Sequence, residues 1–209
     1  MGAYEWYLER VLPRCVDFGM RGEVFRELRP GCVGAAAGRV LELGFGSGLN
    51  LPHLCGGVEE LVAIDPAHLG RELAAERIAA APFPVRFAEL EGSRWAVEDA
   101  SFDCVVCTWT LCTVPSIAAV MAEVGRVLRP GGTFRFLEHG RSRDDGVARW
   151  QRRLNGVQGT LFGGCQLDRE IEVCVGEAGV GVLEHEEFVA EGLAIFSSMY
   201  GGVVTKPIA

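Results

Sequence analysis

Short apolar runs alternate with amphipathic stretches along the whole chain. The first stretch, residues 4–28, sets Trp6, Leu8, Val11, Leu12, Val16, Phe18, Val24, Phe25 and Leu28 among charges, which predicts one or two helices with Pro13 at a break or first turn. Val40, Leu41 and Leu43 then make a compact run of strand type, and further runs follow at 61–64, 85–88, 101–108, 133–137, 183–190 and 197–205. Helical periodicity lies between them: at 49–55, in an alanine-rich 67–81 closed by Pro82 and Pro84, and at 116–128, 146–154 and 170–178. Arg129-Pro130-Gly131-Gly132 marks a turn into the fifth strand, and 161–169 reads as a glycine-interrupted loop. A chain of 209 residues with this pattern predicts one α/β domain without internal repeats.

The strand at 40–43 runs directly into Gly44, Gly46 and Gly48. Glycines there allow positive φ and close approach of a ligand to the backbone. The dinucleotide fingerprint G-x-G-x-x-G needs a glycine or alanine at 49, where Leu49 stands, so the motif is acidic-x-Gly-x-Gly-x-Gly headed by Glu42. Either a nucleotide-like ligand lies on this turn or the glycines only make it tight. At the end of the second strand, Asp65-Pro66 offers a carboxylate where a ribose diol would be held, and equally a cap for the following helix.

Composition narrows the classes. A net charge of -8 and a pI near 5.1 would repel a polyanion, which argues against a nucleic-acid partner. Hydrophobic residues at 49% and a mean hydropathy of +0.20 indicate a filled core, yet no run approaches the roughly 20 apolar residues of a membrane span. The N-terminal residues match neither a signal peptide nor, with Trp6 at the sixth position, a myristoylation site, so a soluble, cytoplasmic protein is expected. Eight scattered cysteines then read as reduced thiols. Cys104 and Cys107 lie three apart on a strand and face opposite ways, and no metal site is expected.

Several segments together resemble class I S-adenosylmethionine-dependent methyltransferases. These are Glu42 with its glycine turn, Asp65, and the run Val-Leu-Arg-Pro-Gly-Gly at 127–132. Val-Val-Cys-Thr-x-x-Leu-Cys, Leu-Glu-His at the end of strand five, Gly-Gly-Cys-x-Leu-x-Arg and the closing Tyr-Gly-Gly-Val-Val-x-Lys are similar to the methyltransferase-like 7 family and its bacterial relatives, over residues 36–206. That family includes thiol S-methyltransferases; its animal members begin with a membrane-anchoring segment that is not found here. The resemblance implies a Rossmann-like fold, an about seven-stranded, mostly parallel sheet with helices on both faces and an antiparallel last strand. It divides the chain into an N-terminal helical cap, 1–35, and a methyltransferase domain, 36–209. It implies S-adenosylmethionine as cofactor, S-adenosylhomocysteine as product and a small-molecule acceptor. Glu42 would lie near the methionine amino group, Gly44, Phe45, Gly46 and Gly48 against methionine and ribose, Asp65 and Pro66 at the ribose, Glu91 and Gly92 at the adenine, and Thr108 at the end of the fourth strand. Trp109, Cys112, Cys165 and Tyr7 would line the acceptor pocket. Many relatives carry a histidine pair where this chain has Cys112-Thr113.

The acceptor is most consistent with a thiol, since a thiol of pKa near ~8.5 is already partly ionised at neutral pH and needs little or no base. O- or C-methylation of a quinone-like or phenolic molecule is the alternative, followed by a non-catalytic S-adenosylmethionine-binding module; an NAD-type oxidoreductase conflicts with Leu49. His139, at the end of strand five, is the candidate general base, or else a structural histidine ordered by Glu138. Cys112 and Cys165 serve as small apolar groups of the pocket, or hold a soft metalloid such as arsenite between them.

Overall fold

The computed structural model describes residues 2–54, 56–91 and 94–208. Helices come first: α1 (Ala3–Trp6) passes through a π-helical turn, Tyr7–Val11, into α2 (Leu12–Met20), and α3 (Glu23–Val33) follows. Then come β1 (Gly38–Leu43), β2 (Val58–Ile64), α4 (His68–Leu73), α5 (Ala75–Ala80), β3 (Val85–Phe87), a small hairpin of β4 (Leu90–Glu91) and β5 (Arg94–Trp95), and β6 (Phe102–Thr108). The chain continues with α6 (Ile117–Val127), β7 (Leu128–His139), α7 (Asp145–Leu161), α8 (Ile171–Glu177), β8 (Val182–Val189) and β9 (Ser198–Thr205).

One 7-stranded sheet has the order β3-β2-β1-β6-β7-β9-β8. β1 pairs in parallel with β2 and β6, and β2–β3 and β6–β7 are also parallel, whereas β9 runs antiparallel to both neighbours. This is the architecture that the resemblance implies. Alternate residues of the central strands feed two cores: Leu41, Val62, Val105 and Cys107 pack into one, and Val40, Leu61, Cys104 and Val106 into the other. A strand covered on both faces is apolar at successive positions, which is why these runs read as continuous rather than alternating. Cys104 and Cys107 do face opposite sides.

Several elements differ from the sequence pattern. The helix expected at 49–55 is only a 3-10 turn, Leu51–His53, because Asn50 is drawn into a buried polar network and the chain turns at once toward β2. The alanine-rich segment breaks at Ala74, fully buried and packed beneath Gly48, where ψ is -9°. Helix α3 runs through Pro30 to Val33; the proline supplies no N–H to the carbonyl of Arg26, and the helix ends within one turn of it. Helix α7 extends past 154 to Leu161, and its start is capped by Asp144, which accepts from Gly146 N and Val147 N. The Tyr4 and Tyr7 hydroxyls donate to the carbonyls of Thr160 and Leu161, fastening the N-terminal helices to the end of α7. Among the described residues no helix is long and apolar enough to cross a membrane.

Candidate active site

Between β1 and β6 the chain direction of the crossovers reverses, and a doubly wound sheet opens a crevice at the carboxyl ends of such strands. A cavity of about 860 Å³ lies there, within the range of about 300–1,000 Å³ usual for small-molecule sites. Its floor is the end of β1, the glycine turn and the end of β6; its roof includes Leu8, Leu12, Val16 and Met20, one face of the N-terminal helices at four-residue spacing.

The glycine turn is held from below. Gly44 N donates to Ile64 O at 2.9 Å, and Asp65 accepts from Gly46 N and Ala67 N, each at 2.7 Å. At Gly44, φ is +72° and a Cβ would stand 1.9 Å from Thr110 Oγ1, so no other residue fits. At Gly46, φ is +53° and a Cβ would meet nothing nearer than 4.0 Å, which leaves this backbone bare toward the cavity it lines. Burial raises the Asp65 carboxyl against those two N–H bonds.

A buried polar network crosses the floor. Asn50 Nδ2 donates to Glu42 Oε1 at 2.8 Å and to Thr108 Oγ1 at 3.0 Å, while Arg29 Nη1 donates to Asn50 Oδ1 at 2.6 Å. The Arg29 guanidinium also lies 4.8 Å from the Trp109 ring centroid. Burial pushes Glu42 up to about 8, against the hydrogen bond from Asn50 and the charge of Arg29, and burial pulls Arg29 down to about 10. Glu42 Oε2, Arg29 Nε and Trp109 Nε1 are buried without a hydrogen-bond partner among the described residues. Trp109 also takes φ +49°, a conformation bulky residues rarely adopt, with its N–H on Leu137 O at 2.8 Å.

The loop after Trp109 hangs on one carboxylate. Glu138, fully buried at the end of β7, accepts from Thr110 N at 2.6 Å, Leu111 N at 2.8 Å and Cys112 N at 3.3 Å. Burial raises its carboxyl despite those donors. Glu138 therefore orders the cavity wall rather than the His139 ring.

Glu42, Gly44, Phe45, Gly46, Asp65, Pro66, Thr108 and Trp109 all line the cavity. Gly48 does not; it turns inward against Phe45, Leu51 and Ala74. Glu91 is exposed and off the wall, where Leu90 and Trp95 stand instead, and Gly92 lies outside the described residues. Tyr7 points to Leu161, leaving Leu8 on the wall. His139, Cys112 and Cys165 stand away from the place expected for them. None borders the cavity: they form a buried trio behind Thr113 and Gly163, with His139 Nε2 3.3 Å from Cys165 Sγ and the two sulfurs 3.8 Å apart. Where no metal-binding group is expected, these three ligand atoms fall within 4.8 Å of one another. Within the thiol pair, the shared hydrogen bond holds Cys165 low and Cys112 well above the usual range; His139 lowers Cys165 further, and burial raises both. Arg29 and Asn50 escape a motif-based reading. Asn50 has a signal, a lone amide in the apolar run Leu49-Asn50-Leu51; Arg29 resembles any charge on an amphipathic helix.

Residues 41–136 match the family model described as a methyltransferase domain. A phosphatidylethanolamine N-methyltransferase of Cereibacter sphaeroides is 31% identical over 183 residues, covering 86% of this chain and 88% of that one. The chain belongs to the class I S-adenosylmethionine-dependent methyltransferase family. The human thiol S-methyltransferase TMT1A is 44% identical over 82 residues, 35% of this chain and 31% of the relative. The chain spans between 31% and 62% of the length of the first thiol S-methyltransferases it matches. A methyltransferase of Haemonchus contortus, solved with phosphomonomethylethanolamine and S-adenosylhomocysteine, superposes with a TM-score of 0.73 at 14% identity, covering 99% of this chain and 61% of that one. At that identity the likeness concerns the fold.

Proposed function

We propose that the chain transfers a methyl group from S-adenosylmethionine to a small, largely apolar thiol. When bound, S-adenosylmethionine supplies the methyl on a sulfonium, a good leaving group, so that proximity and alignment are the main demands on the protein. The unpartnered Glu42 Oε2 and Arg29 Nε suit the two ends of an amino-acid zwitterion, the carboxylate taking the ammonium and the guanidinium the carboxylate. Each Asp65 oxygen already accepts one N–H and keeps a lone pair for a ribose hydroxyl. Pro66 and Leu90 stand on the wall at the adenine end.

The acceptor reading rests on one observation. Among the described residues, the cavity wall carries no His, Lys, Tyr or Cys, and the roof is Leu8, Leu12, Val16 and Met20. Its remaining acid, Asp17, is a poor base: burial raises it, but hydrogen bonds from Ser47 and Arg21 and the charges of Arg21 and Arg77 outweigh that and hold it below the usual carboxylate range. A nucleophile that ionises unaided fits such a wall, and the similarity to thiol S-methyltransferases agrees. The role for residues 1–35 is a cap that excludes water from the acceptor end.

The test is S-adenosylhomocysteine release by the purified protein with a panel of apolar thiols, phenols, quinols and amines. Thiols should turn over at least about tenfold faster, with a rate that follows the thiolate fraction of the acceptor up to its own pKa near ~8.5. Turnover of phenols or quinols with inert thiols would move the acceptor to oxygen or carbon. Cofactor binding without release under any acceptor would leave a non-catalytic module.

A further inference from the structure

We propose that Cys112, His139 and Cys165 form a binding site for a soft or borderline metal ion of the zinc class. The inference stands apart from the methyl-transfer reading, since none of the three borders the cavity. They arrive from three separate places: the loop after β6, the end of β7 and the glycine turn after α7. Convergence of two sulfurs and an imidazole nitrogen from segments so far apart in sequence is itself informative, because most buried cysteines pack singly as small hydrophobes.

Two of the three ligand separations are close to those of a tetrahedral ion, and all three atoms lie within 4.8 Å of one another. With bonds of about 2.3 Å to sulfur and about 2.0 Å to nitrogen, ligand atoms stand roughly 3.8 Å apart for S···S and roughly 3.5 Å for S···N. Here Cys112 Sγ and Cys165 Sγ are 3.8 Å apart, and His139 Nε2 is 3.3 Å from Cys165 Sγ. Two thiolates and a neutral imidazole balance the charge of a dication, so a buried ion would leave little net charge. Ligation through Nε2, which faces Cys165 Sγ, puts the ring proton on Nδ1, a buried atom with no hydrogen-bond partner among the described residues. Gln158 Nε2 stands 3.7 Å from Cys165 Sγ, an amide donor of the kind that steadies a ligating thiolate. Three protein ligands leave one coordination position for water or an added thiol. Such an ion would join the loop at 110–116 to the segment 162–167 and so fix one wall of the cavity.

The experiment uses the full chain, reduced with a phosphine and stripped with a chelator, then titrated with Zn2+ and Co2+ alone. One ion per chain should bind, with proton release and, for Co2+, thiolate charge-transfer and tetrahedral d–d absorption. The double variant Cys112→Ser/Cys165→Ser should lose at least about a hundredfold in Zn2+ affinity, whereas Cys174→Ser should lose none. Circular dichroism of the variants checks the fold. X-ray absorption on the zinc-loaded wild type covers the case in which the double variant does not fold: a shell with two sulfurs at about 2.3 Å is expected. Wild type that takes up no stoichiometric metal, a double variant with unchanged affinity, or a shell without sulfur would each overturn the site.

Discussion

Replacing Glu42 with Gln should stabilise the cofactor-free protein, and increasingly so as pH rises. Glu42 is 1% exposed, and burial pushes it up to about 8 from an ordinary 4.5. A carboxyl whose pKa is higher folded than unfolded keeps a proton that the unfolded chain has lost. The folded state is then penalised between those two values: nothing below the unfolded pKa, a cost rising by about 1.4 kcal/mol per pH unit above it, and a plateau beyond the folded pKa. At pH 7 the penalty comes to about 3 kcal/mol. Glutamine keeps the acceptor for Asn50 Nδ2 and titrates nowhere in this range. Burial raises Asp65 and Glu138 as well, so the wild-type profile alone mixes several groups, whereas the difference between wild type and variant reports Glu42 together with its coupling to Asp65 and Arg29. Urea unfolding of both proteins without cofactor, at unit steps from pH 5 to pH 8, should show a gap that widens by about 3 kcal/mol across the series. A gap that stays flat would mean that Glu42 is already ionised in the folded apo protein. That result would refute the picture of an acid held neutral until a cation arrives.

Arg29→Gln should weaken S-adenosylhomocysteine by roughly tenfold to a hundredfold while leaving methylthioadenosine, which lacks the amino-acid tail, unchanged. Equal losses for both ligands in calorimetry would make Arg29 a structural group of the floor. For Asp65→Ala the expected cost to S-adenosylmethionine binding is roughly 1 to 3 kcal/mol, from the charge-assisted bond to the ribose and the loosened turn. Unchanged affinity would reduce Asp65 to a brace for Gly46 and Ala67. Gly44→Ala sets a methyl against Thr110 at a φ of +72° and should cost at least about 2 kcal/mol, read as a melting temperature lower by about 5 °C. A melting temperature equal to wild type would show that the turn has room to shift.

The centre of the sheet was legible because β1, β2 and β6 are buried at successive positions and therefore stand out as apolar runs, whereas β8 is largely exposed. Most of the cavity floor was legible from position: Glu42, Asp65 and Thr108 sit at strand ends, and strand ends in this architecture face one crevice. What did not show was anything set by packing between distant segments. Arg29 is distinguished from Arg26 only by the helix face that meets Trp109 and Asn50. Trp109 carries no mark of its positive φ, which comes from its N–H binding Leu137 O and the Glu138 carboxylate gathering the next three amides. The retreat of His139 from the crevice has a similar cause, since residues facing opposite sides of β7 cannot be assigned to cavity or core from a strand end alone.

The order β7-β9-β8 has a consequence for how the chain is made. Residues of β9 pair with both neighbours, Thr133 with Thr205 on one side and Val182 with Thr205 on the other. Until β9 has left the ribosome, β8 has no partner strand and β7 leaves one edge of the other five strands, β3 to β7 in sheet order, uncovered. Closing it requires contacts between residues far apart in sequence, which is slow. An uncovered edge of this kind is the part of the sheet most exposed to pairing with other chains, and β9 is the strand that covers it.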